Sequence, residues 1–244
     1  MKEKTAPILS IRHFSKTYRG GRRAAVDLNL EIYPGDIYGF IGRNGAGKTT
    51  TIKAVAGILD FEEGEILIDG LSVKKQPLEC KRRLAYIPDN PDLYEYLTGI
   101  QYLNFIADVF EIDGPARTKA IEKYAGEFGI LEKLGDLIST YSHGMKQKLA
   151  LISAFIHHPR LLLLDEPFVG LDPEASVVLK EKMRELCREG GAIFFSTHVL
   201  DVAEKLCSRV GIIRQGRMAA QGSTEELVGG RSLEEVFLEV IRND

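Results

Sequence analysis

The sequence predicts an α/β fold built on a mainly parallel sheet, and three observations predict it. A short apolar run, Ile37 to Ile41, leads through Gly42-Arg43-Asn44-Gly45-Ala46-Gly47-Lys48-Thr49 into a helix-like stretch, Thr50 to Gly57. Further on, Leu161-Leu162-Leu163-Leu164 runs straight into Asp165-Glu166. Leucines without alternation suit a central parallel strand covered on both faces. Finally, the pattern changes from strand alternation over residues 8–40 to helical spacing over 91–158, and returns to strands after Glu166.

The glycine-rich segment fits a phosphate cradle: two glycines separated by four residues, then Lys and Thr. In a strand–loop–helix context the loop N–H groups close on phosphates, and the helix N-terminus adds its positive dipole end. Lys48 is expected to reach the outer phosphates, and the Thr49 hydroxyl to hold Mg²⁺. Asp165 and Glu166 leave the end of their strand where open α/β sheets bind ligands. Asp165 is expected to support the same ion and Glu166 to polarise an attacking water. His198 follows the apolar run Ala192-Ile193-Phe194-Phe195-Ser196, so it also emerges at a strand end, placed to orient that water. His13, His157 and His158 are read as structural.

The remaining elements follow in order. Ile8 to Ile11 and the alternating run Ala25 to Ile32 read as strands, the second half-buried and antiparallel. Pro34-Gly35-Asp36 is a turn into the strand before the glycine loop. Glu65 to Ile68 is a strand closed by Asp69-Gly70. Leu103, Ile106, Val109 and Phe110 recur at helical spacing. Pro173 starts a helix that runs to about Glu189 and stops at Gly190-Gly191. Val210 to Ile213 and Met218 to Gln221 read as paired edge strands around Gln215-Gly216. Ser232 and Glu235 have the spacing of a capping box for a last helix.

With these motifs in hand, the chain resembles the ATP-binding-cassette (ABC) ATPases over almost its whole length. Five further elements match in order. Tyr18 stands at the adenine-stacking aromatic, Tyr86-Ile87-Pro88-Asp89 at the Q-loop, and Tyr141-Ser142-His143-Gly144-Met145 at the signature. Gly170-Leu171-Asp172 stands at the D-loop and Ser196-Thr197-His198 at the switch histidine. The resemblance implies a P-loop NTPase core with an N-terminal antiparallel β subdomain, over approximately 8–90 and 159–222. It also implies an inserted helical subdomain over 91–158 and a helical tail over 223–244. ATP would be held by Tyr18, Gly42 to Thr50 and, from an opposite subunit, by Ser142 to Met145. Asp172 would communicate across that dimer, and Thr49, Asp89 and Asp165 would serve Mg²⁺.

The signature has Tyr, His and Met where the family usually has Leu, Gly and Gln, but keeps Ser142 and Gly144. Ser142 reads as the N-cap of the following helix. Asp89 replaces the Q-loop glutamine. It is either a hard-cation ligand or simply a turn residue in Pro88-Asp89-Asn90-Pro91.

The 244 residues carry 32 basic and 35 acidic side chains, a net charge of −3. That balance argues against a polyanion-binding role, so no nucleic acid partner is expected. Cys80, Cys187 and Cys207 lack metal-ligand spacing and read as reduced thiols. No segment approaches a membrane span, and residues 1–5 show no secretory leader.

The resemblance implies an ATPase at the cytoplasmic face of the membrane. It would drive a separate multi-span permease through ATP-dependent pairing with a second nucleotide-binding domain, a copy or a paralogue. The stretch 91–98 and the tail Leu233 to Leu238 resemble bacterial drug and antibiotic exporters. Tyr94, Tyr96 and Leu97 are read as the surface for the permease, or else as core of the helical subdomain. Three rivals stay open: a ribosome- or DNA-acting cassette, a P-loop kinase, and a regulatory cassette with slow turnover.

Overall fold

The computed structural model describes residues 6–242. The expected absence of a leader over 1–5 and the last two residues of the tail lie outside the described residues. The chain runs β1 (Leu9–Thr17), β2 (Arg23–Ile32), β3 (Ile37–Ile41), α1 (Lys48–Val55), β4 (Glu63–Ile68), β5 (Leu71–Ser72), α2 (Pro77–Lys81) and β6 (Leu84–Ile87). Three helices follow, α3 (Gly99–Val109), α4 (Gly114–Glu127) and α5 (His143–Phe155). Then come β7 (Leu161–Asp165), α6 (Pro173–Arg188), β8 (Ala192–Thr197), α7 (Leu200–Leu206), β9 (Arg209–Arg214), β10 (Arg217–Ser223), α8 (Thr224–Val228) and α9 (Leu233–Arg242).

An antiparallel sheet has the order β2-β1-β4-β5, and a six-stranded sheet the order β10-β9-β3-β8-β7-β6. Within the larger sheet every pairing is parallel except β10 with β9. The leucine strand β7 lies between β6 and β8, and all its residues are buried. Its side chains alternate between two cores. Leu162 and Leu164 join the apolar cluster of α3 to α6, whereas Leu161 and Leu163 join that of α1 and the antiparallel sheet. Burying each leucine stabilises by about 1.5–3 kcal/mol. A strand flanked by apolar layers on both faces has no use for alternation, which is why the run reads Leu-Leu-Leu-Leu.

Several expectations need correction. The helix after the glycine loop begins at Lys48 rather than Thr50 and ends at Val55 rather than Gly57. Gly47, at φ 114°, ends the loop there, so Lys48 and Thr49 belong to the first turn. Of the β9–β10 pair, β10 alone lies at the sheet edge; β9 is interior, parallel to β3, with Val210 to Ile213 buried. The apolar stripe on α3 is Tyr102, Leu103 and Ala107, with Ile106 packed against the same core as expected. Val109 faces outward, and Phe110 lies past the helix end, stacked on His157 at 3.7 Å between centroids. Burial lowers the pKa of that His157, in keeping with its structural reading.

Caps follow the sequence signals. Ser232 and Glu235 bond reciprocally, Glu235 N–H to Ser232 Oγ at 3.2 Å and Ser232 N–H to Glu235 Oε2 at 2.9 Å. All three cysteines are buried and free. Among the described residues no helix is long and apolar enough to cross a membrane.

Candidate functional site

Three neighbouring strands deliver the site. In the order β3-β8-β7, Ile41 pairs with Thr197 and Ser196 pairs with Asp165. Register therefore brings the start of the glycine loop, His198 and the Asp165-Glu166 pair to one sheet end, although more than a hundred residues separate the first from the others. Open α/β sheets hold their ligands at this end.

The loop's glycines are required by packing. A Cβ on Gly47 would run into the Ala24 carbonyl oxygen, and one on Gly42 would lie 2.6 Å from the Ile213 carbonyl oxygen. Gly47 also carries its φ of 114° without a Cβ penalty. Lys48 is buried; its Nζ donates to the Gly42 carbonyl at 2.7 Å and lies 3.4 Å from Glu166 Oε1.

Glu166 holds an unusual backbone conformation, φ 48°, which is costly for a residue with a Cβ. Its N–H donates to Ser196 Oγ at 3.1 Å and to the Ser196 carbonyl at 3.2 Å. The carboxylate is bracketed. Lys48 faces Oε1, while His198 Nδ1 at 2.9 Å and His198 N–H at 3.3 Å face Oε2. With the carboxylate ionised, Nδ1 carries the proton and donates it.

Asp165 is nearly inaccessible, and its Oδ1 accepts from the Ser196 hydroxyl. Its Oδ2 is buried with no partner. A buried, unpartnered carboxylate oxygen is costly unless a cation or water satisfies it, so the donor set fits a hard divalent ion.

A cavity of about 690 Å³ gathers most of the expected residues. Tyr18, Arg43, Asn44, Gly45, Gly47 to Thr50, Asp89, Asp165 and Glu166 line it. Gly42 and Ala46 are buried beneath the loop. Tyr18 is an exposed ring whose hydroxyl lies 3.3 Å from Thr50 Oγ1. Asp89 accepts from Asn90 N–H at 3.0 Å, as a turn residue does, and its side chain also lines the cavity.

Ser142, His143, Gly144 and Met145 are not among the cavity's walls. Ser142 caps α5, accepting from Met145 N–H at 3.2 Å. The His143 ring packs over Gly170, where a Cβ would lie 2.6 Å from Cδ2. Asp172 caps α6 through Ala175 N–H at 2.8 Å and pairs with Lys148 on α5 at 2.6 Å. The Ala175 N–H first, then Lys148, hold its carboxyl below the ordinary value. The signature and the D-loop are therefore fastened to each other within one chain.

Two residues named in the motifs have no role of their own in the sequence reading. Ser196 bonds the Asp165 carboxylate and the Glu166 N–H at once, a role only the β7–β8 register reveals. Tyr86 on β6 buries its hydroxyl without a partner. Burial above all, then the Asp165 and Asp89 carboxylates, raises its pKa, so it remains a neutral donor.

Comparison with known proteins agrees with this geometry. The family model described as ABC transporter matches residues 25–169. The chain is 34% identical over 223 residues to the ABC-type transporter ATP-binding protein EcsA of Bacillus subtilis, covering 89% of this chain and 90% of that protein. It is 31% identical over 250 residues to the linearmycin resistance ATP-binding protein LnrL of the same organism, covering 97% and 79% respectively. A solved structure of the ATP-binding subunit of an ABC transporter superposes with a TM-score of 0.92 at 33% identity, covering 96% of this chain and all of that one.

Proposed function

The chain belongs to the ABC transporter family as an ATP-binding ATPase subunit, and on that premise we propose that it powers an exporter through ATP-dependent pairing with a second such domain. The observation that carries the reading is the glycine loop facing Asp165, Glu166 and His198 at the ends of three adjacent strands.

Backbone N–H groups of Gly42 to Thr50 and the Lys48 ammonium hold the phosphates, and Tyr18 takes the adenine. Asp165, Thr49 and Asp89 would hold Mg²⁺, which neutralises phosphate charge when bound. Glu166 accepts a proton from water, and His198 fixes the orientation of that carboxylate. Lys48 and Glu166 pair directly here, so phosphates arriving at Lys48 free Glu166 for water. Ser142 to Met145 offer a helix N-terminus to the outer phosphate bound by the opposite subunit, and Asp172 lies beside that junction.

The membrane-spanning partner docks where core meets helical subdomain (residues 91–158). Tyr96 is 75% exposed and Tyr94 46% exposed; their rings lie 5.9 Å apart, with Phe105 5.7 Å from Tyr94. That exposure favours the docking reading over the core one for the two tyrosines, while Leu97 packs inward. The export direction is supported by the likeness to the linearmycin resistance protein. Through its partner the subunit sits at the cytoplasmic face of the membrane.

Light scattering tests the pairing. The Glu166→Gln chain should be monomeric alone and dimeric with ATP, because nucleotide completes each interface. A dimer indifferent to nucleotide contradicts the mechanism.

A further inference from the structure

We propose that Arg22 is a nucleotide-binding residue, a second cation beside Lys48 that clasps the phosphate chain. The inference rests on the ATP-binding reading above and adds a residue from outside the motifs.

The β1–β2 turn places it. Gly20 and Gly21, at φ 96° and 83°, let the chain reverse. Tyr18 N–H donates to the Arg22 carbonyl at 2.9 Å, and Gly21 N–H to the Tyr18 carbonyl at 3.0 Å. Tyr18 and Arg22 thus face each other across a closed turn, and both enter the 690 Å³ cavity. Tyr18 is anchored to Thr50, so the turn is held over the start of α1. Arg22 Nη2 lies only 3.4 Å from where a Cβ on Gly45 would stand. The guanidinium therefore lies against the middle of the loop whose N–H groups cradle the inner phosphates.

The charge balance of the cavity points to an anion. Arg19, Arg22 and Arg43 all line it. Among the described residues, none of the three has an ion pair or a side-chain hydrogen bond. None of the acids of the same cavity pairs with them: Glu166 meets Lys48 and His198, Asp165 accepts from Ser196 through Oδ1, and Asp89 accepts from the Asn90 N–H. The concavity thus holds four cations, with Lys48, against the three acids, and the three unpaired guanidiniums favour entry of a polyanion. The planar guanidinium fork matches phosphate oxygens in pairs, which a lysine cannot do.

ADP is the probe, since it carries the inner phosphates without the outer one. Calorimetric titration of wild type, Arg22→Gln and Arg22→Lys, at low and high salt, tests the assignment. Arg22→Gln should bind ADP about 10-fold more weakly at low salt, as expected for one charge-assisted contact. Arg22→Lys should fall between, and the deficit should shrink as salt screens the contact. Melting temperatures without nucleotide should be unchanged. Wild-type affinity in Arg22→Gln would overturn the inference. So would a salt-independent deficit accompanied by a lower melting temperature, which would make Arg22 a scaffold of the turn. Failure of the wild-type chain to bind ADP is a different result and removes the ATP-binding reading itself.

Discussion

The strand ends and the helical segment between β6 and β7 treat their conspicuous side chains in opposite ways. At the strand ends, the groups that could react are held fast: Lys48 and Asp165 are both buried, and Glu166 is bracketed on both oxygens. In the helical segment, large aromatics stand in the open, with Tyr94, Tyr96 and Phe105 forming an exposed cluster. The first arrangement suits chemistry, which needs fixed atoms. The second suits a docking surface, where exposed aromatics gain most from being covered. Asp172 and Lys148 join the two regions, one capping α6 in the core and the other riding on the signature helix α5.

Substitutions can break this division of labour. The largest effect is expected from Lys48→Ala, which removes a buried cation from the cradle. ATP affinity should fall on the order of 100-fold or more, while capture on membranes bearing the partner persists in part. Unchanged affinity in a nucleotide titration would detach the loop from phosphate binding.

Leu163→Ala probes the scaffold instead of the site. A cavity in the doubly covered strand should cost about 2–5 kcal/mol of unfolding free energy, read by denaturant titration. A loss near zero would mean that β7 can close the gap and is not the rigid support assigned to it.

In the helical segment, Tyr94→Ala with Tyr96→Ala should weaken membrane recruitment by about 2 kcal/mol or more. ATP binding should stay close to wild type. A joint loss of folding and ATP binding would return these rings to a core role.

The mildest effect is expected at the junction. Asp172→Ala removes an N-cap worth about 1 kcal/mol. The folded-state carboxyl is held below its ordinary value by Ala175 N–H and Lys148, so its contribution is fully present above the ordinary carboxylate range. It is lost as pH falls through the lowered folded value. Thermal melts should therefore show a full gap between wild type and variant at pH 7, closing below about pH 4. A gap that widens on acidification would contradict the pairing.

The same contrast explains what could be read without coordinates. The glycine loop, the leucine strand, the Pro173 helix start and the Ser232–Glu235 box each lie within a few consecutive residues, where local sterics and hydrogen bonding dictate residue type. Long-range geometry was not legible. The interior place of β9 depends on its parallel pairing with β3 across the fold. Ser196 acquires its role from the strand beside it, and Val109 fits a helical period yet faces solvent. Arg22 is an ordinary surface arginine in sequence and becomes notable only when the turn lays it against Gly45.

The central claim is that Glu166, fixed by Lys48 and His198 at the strand ends, is the group that activates water. Single-turnover hydrolysis by the Glu166→Gln chain at saturating ATP tests it most directly. The amide keeps the shape and loses the charge, so ATP should bind as in wild type while its cleavage slows by about 10²–10⁴-fold. Cleavage at the wild-type rate would contradict the assignment and move the catalytic base to another residue.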